Sequence, residues 1–203
     1  WIEMFFLGLL LLGFLSLCAL WAAASASARL GSGLGECATA VGLLWTGIVT
    51  LPVLALGWLD LLYRAVLAIT VLVLSVALTL LTSIGKGIRP HARETARLLI
   101  RLARAPWDAV TLAWRAKSLV VVSLLGAYAI LIWTAWLTYL APSISWHGIW
   151  YHETMVGFAI QNHGFWLVTL PVGLEYVNSF PRVSEALNLW CVYFTDRRLI
   201  ELP

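Results

Sequence analysis

Charged residues are what this chain has least of. They make up 11% of its 203 positions, against about a quarter in soluble domains. With 62% hydrophobic residues and a mean hydropathy of +0.90, a soluble globular domain is excluded, and so is a disordered chain. Cysteine is scarce too. Cys18, Cys37 and Cys191 stand far apart and form no CxxC pair, so neither a disulfide framework nor a cysteine-type zinc site is indicated. Asn162, Asn178 and Asn188 lack a hydroxyl residue two positions on, which excludes N-glycosylation. There is no glycine-rich phosphate loop and no GxSxG elbow. An internal repeat is lacking, which leaves an inverted-repeat transporter without support. Few ionisable groups interrupt the apolar stretches, so an ion or proton path is poorly supplied.

What the chain does have is long apolar runs. A hydrocarbon core of about 30 Å needs about 20 apolar residues in a helix. Four stretches qualify, at about 4–24, 38–58, 65–84 and 119–140. The first precedes the small-residue run Ala22 to Ala28, which also reads like a signal-peptidase site; only Glu3 stands where a basic leader would be. It is taken as a retained span, with a cleavable or internal signal as the alternative. Gly8, Ser16, Gly42, Gly47 and Gly126 are small residues suited to close helix approach. Asp60 and Arg64, spaced i, i+4, are expected to form an ion pair at a turn between the second and third spans.

Charge is concentrated between the third and fourth spans. Lys86, Arg89, Arg93, Arg97, Arg101, Arg104, Arg115 and Lys117 face only Glu94 and Asp108 in that stretch. Arginines every four residues drift slowly around one helix face. The spacing predicts a basic amphipathic helix over 88–117, with Pro90 in its first turn and Pro106 ending or kinking it before a second short helix. Its cations are expected to contact anionic lipid headgroups. Nucleic acid is not expected as a partner. Trp58, Trp107, Trp114, Trp146 and Trp150 are candidate interface anchors, since indoles favour the headgroup level. The positive-inside rule places 86–117 in the cytoplasm, and the N-terminus and C-terminal tail on the other side.

The tail, 141–203, changes period. Val156, Phe158 and Ile160 alternate with small residues, Gln161-Asn162-His163-Gly164 reads as a turn, and Leu189 to Phe194 reads as a strand. These patterns predict a small β-rich extramembrane domain. The expected fold is therefore a membrane α-helical region, 1–140, followed by that domain.

His147, His152 and His163 lie near Glu153 and Glu175, but their spacing fits neither a helix nor a strand face, and no metal or cofactor is expected. The order His152, Glu175, Cys191 after several spans resembles the membrane-bound cysteine autoproteases of hepaciviruses and pestiviruses. That resemblance implies a Cys191 nucleophile, a His152 base and a Glu175 orienter. Tyr176 stands where those enzymes carry proline. In layout, several spans before a compact tail, the chain is also similar to the membrane (matrix) proteins of nidoviruses, which work by self-assembly. The main reading is a non-catalytic membrane subunit for assembly within a larger complex or viral-type membrane layer. Other membrane subunits or further copies of the chain are its expected partners. The alternative is the autoprotease.

Overall fold

The computed structural model describes residues 2–30, 33–116, 119–140, 153–165 and 183–195, with positions 169, 172 and 178. Seven helices account for nearly all of them: α1 (Ile2–Ser27), α2 (Leu34–Trp58), α3 (Arg64–Ser83), α4 (Ile88–Arg115), α5 (Val120–Leu140), α6 (Thr154–Asn162) and α7 (Val183–Phe194). Four of them are long and apolar enough to cross a membrane, over Phe5–Ser27, Leu34–Trp58, Arg64–Ser83 and Val120–Leu137. They match the four apolar runs of the sequence and support an integral membrane location. In hydrocarbon a helix satisfies its own backbone, so a long apolar run has one stable solution.

The spans are joined by short, defined turns. Glu36 reaches back to accept the Gly33 N–H at 3.3 Å, closing the first turn of α2. Between α2 and α3 the expected Asp60–Arg64 ion pair is not formed. Asp60 lies outside both helices, at φ 55°, and α3 begins only at Arg64. Helical i, i+4 geometry therefore never applies to them. Between α3 and α4, Gly85 and Gly87 take φ of +86° and +80°. Side chains resist that region, and the two glycines let α4 turn off the end of α3.

Helices α1, α2 and α3 form the bundle, with α1 packed most extensively on the other two. Leu12, Leu15, Ala19, Ala22, Ala23 and Ala24 of α1 are buried. The run of alanines permits close backbone approach, the usual means of packing helices in lipid. Helix α5 differs. It touches chiefly α4, and only Val121 of its described side chains is buried.

The described part of the tail is helical, which corrects the expected β-rich domain. No strand occurs among the described residues. In α7 the buried residues are Glu185, Ala186, Leu189, Trp190, Tyr193 and Phe194, pairs recurring every four residues, as a helix face requires. In α6 they are Met155, Val156 and Ala159. The presumed hairpin turn is a helix C-terminus. His163 adopts the left-handed conformation there, and the Gly164 N–H returns to the Ala159 carbonyl at 3.2 Å. Hairpin turns and helix ends both use left-handed residues, so Asn-His-Gly serves either.

Nor do α6 and α7 form a separate core among the described residues. Val156 and Ala159 of α6 and Ala186, Leu189 and Trp190 of α7 belong to the same apolar cluster as Leu15, Val49 and Val53. The Trp190 indole donates to Ser16 Oγ at 3.3 Å, and the Trp45 indole donates to the Ser16 carbonyl at 3.2 Å. Ser16 lies near the middle of α1, so α7 is seated against the length of a span.

Candidate functional site

The two ends of the bundle carry different chemistry. At one end, the α2–α3 turn receives the tail. The Leu62 N–H donates to the His163 carbonyl at 2.9 Å, and the Phe165 N–H donates to the Gly57 carbonyl at 2.7 Å. The Tyr193 hydroxyl donates to the Leu62 carbonyl. The His163 ring stacks on Tyr63, centroids 4.1 Å apart. Gly57 meets the Phe165 ring so closely that a Cβ would lie 2.2 Å from it.

At the other end lie the cations. The basic helix α4 docks through one face, where His91, Thr95 and Leu98 are buried. Spaced four and three apart, they share a stripe on a helix of 3.6 residues per turn. Arg89, Arg93, Arg97, Arg101 and Arg104 lie outside that stripe, Arg101 at its flank and the others round the far side, and all are exposed. Among the described residues, none of these arginines has a carboxylate at ion-pair distance; the ion pair formed is Lys86–Glu94, at 2.8 Å. That hydrogen bond from Lys86 holds the Glu94 carboxyl below its usual range.

Helix α4 continues without a break from Ile88 to Arg115, with Pro106 inside it. The sequence suggested a break and a second helix there. Proline removes one N–H and crowds the carbonyl four residues back, at a cost of about 3 kcal/mol. Pro106 is exposed, so nothing packed opposes that local adjustment. Beyond Pro106 no side chain of α4 is buried, and Trp107, Leu112 and Trp114 are exposed. Trp107 and Trp114 are two turns apart on one face, as two interface anchors would be. Arg115 is exposed on the last turn. Trp58, also exposed, ends α2 at the opposite end of the bundle. Lys117, Trp146, Trp150, His147, His152 and Glu175 lie outside the described residues.

A polar cap fixes α4 in place, and its members were not singled out by sequence. Arg29, just past α1, donates from Nε to the Thr82 carbonyl at 2.6 Å and from Nη2 to the Ile84 carbonyl at 2.5 Å. The last carbonyls of a helix have no internal partners and carry partial negative charge, so a guanidinium fork is a fitting cap for α3. The buried Ser25 and Thr95 hydroxyls meet at 3.3 Å, and Thr95 donates to the His91 carbonyl at 3.0 Å. His91 Nε2 meets Thr82 Oγ1 at 3.2 Å. The cap thus ties α1, α3 and α4 together. One signal was visible beforehand: Arg29 is a lone cation closing an apolar run.

The candidate nucleophile, Cys191, stands on α7 rather than on a strand, partly buried between Trp190 and Val192. Burial pushes its thiol up to about 11, whereas a reactive cysteine needs a lowered value. Glu185, 1% exposed on the same helix, is a buried acid that sequence reasoning passed over. No group of three or more metal-ligating side chains occurs among the described residues. Comparison with protein-family models, with curated proteins and with solved structures gives no match for this chain.

Proposed function

We propose that this chain is a non-catalytic structural or assembly subunit of a membrane complex or membrane layer, and that α4 holds anionic headgroups at one membrane face. The observation that carries this reading is the row Arg89, Arg93, Arg97, Arg101 and Arg104, exposed on α4 outside its docked stripe. Cations with no carboxylate at ion-pair distance among the described residues, at the end of a span bundle, are matched to lipid phosphates. The exposed indoles of Trp107 and Trp114 on the same helix add support. Helix α5, lipid-facing or open to a partner along nearly its whole length, is the surface for other membrane subunits or a second copy.

In this reading α4 is cytoplasmic, and the N-terminus and tail are not. The bundle supports that arrangement: the tail docks at the α2–α3 turn, while Arg29, Lys86 and the α4 arginines gather at the opposite end. The test is selective lipid retention. Replacing Arg93, Arg97 and Arg101 together by Gln should weaken retention of phosphatidylglycerol relative to phosphatidylcholine, read by native mass spectrometry. Each cation near the surface contributes about 1 kcal/mol, so up to about 3 kcal/mol is at stake. Unchanged selectivity would overturn the headgroup role.

A further inference from the structure

We propose that His91 is a proton-operated latch: neutral, it docks the basic helix α4 on the bundle, and charged, it releases it. The ring is 1% exposed at the α1–α3–α4 junction. The Thr82 hydroxyl donates to the Leu78 carbonyl at 2.8 Å and lies 3.0 Å from the Thr79 carbonyl. Its single hydrogen is therefore engaged, and toward His91 it can only accept. The hydrogen bond at 3.2 Å then assigns the proton to Nε2, leaving Nδ1 a bare lone pair. Nδ1 is buried with no hydrogen-bond partner among the described residues.

Protonation would place a second N–H, and a full charge, where no acceptor waits. A buried donor without an acceptor is costly, and an unpaired buried charge more so. Two of the three charges that act on the ring push the same way. Arg29, past the end of α1, and Lys86, in the α3–α4 turn, both oppose a positive ring; Glu94, on α4 itself, favours it but is already engaged by Lys86. Helices α2 and α5 also touch α4, and among the described residues they add no charge that acts on the ring. Burial, first, and Arg29, second, hold the imidazole below its ordinary value.

The released state binds the proton more readily than the docked one. Docking is complete above about pH 6.5, the ordinary histidine value, and is lost as pH falls below it. Release frees Thr95 and Leu98 with His91, because all three share the docked stripe. The latch holds whether or not the arginines bind lipid.

The experiment follows hydrogen exchange of the 91–99 amides in the full chain between pH 7.5 and 5.0. Phosphatidylcholine vesicles keep anionic lipid out of the measurement, and rates are normalised to an unstructured peptide. The wild type should lose protection by up to about tenfold per pH unit over the acid part of the range, the limit for one proton. His91→Gln, which keeps an amide donor for Thr82 and cannot titrate, should give a flat profile. Should that variant fail to fold, Lys86→Gln serves. It removes an opposing cation and frees Glu94, so its pH dependence should be shallower than the wild type's. A flat wild-type profile, or an equal loss in His91→Gln, or in Lys86→Gln where that variant serves, would overturn the latch.

Discussion

The carbonyl of Phe194 covers Gly8 so closely that a Cβ at position 8 would lie 1.8 Å from its oxygen. The obstacle is backbone and cannot rotate away. Gly8→Ala should push the end of α7 off α1 and destabilise the bundle by about 1–3 kcal/mol, the usual cost of overpacking. Thermal unfolding in detergent gives the measurement. Gly13, with nothing within 4 Å of a Cβ, is the control, and Gly13→Ala should be silent.

Arg29 carries a different expectation. Its fork satisfies two carbonyls at the end of α3, and hydrogen bonds from a charged group contribute about 1.5–3 kcal/mol each when well protected. Arg29 is exposed, so solvent screening brings the two bonds together down to about the worth of one protected bond. Arg29→Ala should cost about 1–2 kcal/mol and raise hydrogen exchange at the last turn of α3. Arg29→Lys, a point charge without the fork, should recover only part of the loss.

Cys191 should be unreactive. A thiol raised to about 11 is almost wholly protonated at pH 7.5, and a water-soluble maleimide should label it far more slowly than a free cysteine. Its folded value lies above its unfolded one, so its contribution to stability is fully present below about pH 9 and is lost as pH rises through 11. Cys191→Ala should leave folding and insertion intact at a small cost. Loss of a processing event in that variant, with insertion unaffected, would revive the autoprotease reading.

Protease protection on sealed vesicles tests the arrangement of the ends. With α4 facing the cytosol, cytosolic protease should cut the α3–α4 turn at Lys86, which is exposed. The tail should survive. Cleavage of the tail from the cytosolic side would overturn the proposed orientation.

The spans could be read from sequence because a run of about 20 apolar residues has few other uses. The arginine face was readable because a four-residue spacing is local. The tail was not. Val156, Phe158 and Ile160 alternate like a strand, yet the chain buries Met155, Val156 and Ala159. Trp190 to Phe194 is apolar without interruption, and such a run carries no period of its own. What decides the matter is the long α1–α2 surface on which α7 lies, and no local window contains it. The polar cap failed for the same reason: Ser25 and Thr95 are 70 positions apart, and each alone is an ordinary hydroxyl. His91 stood among the arginines of α4, where charge drew the reading to the opposite face.

The seating of α7 also bears on the order in which the molecule can be completed. Trp190 and Ser16 are separated by 174 positions, so α1 receives this partner only after α2 to α5 have been made. Contacts between such distant segments are slow to form. Until α7 arrives, Gly8 and the Ser16 hydroxyl lack the cover that Phe194 and Trp190 give them, and the growing chain holds an open seam along α1. A chain halted before Val183 would insert its spans and still lack that closure.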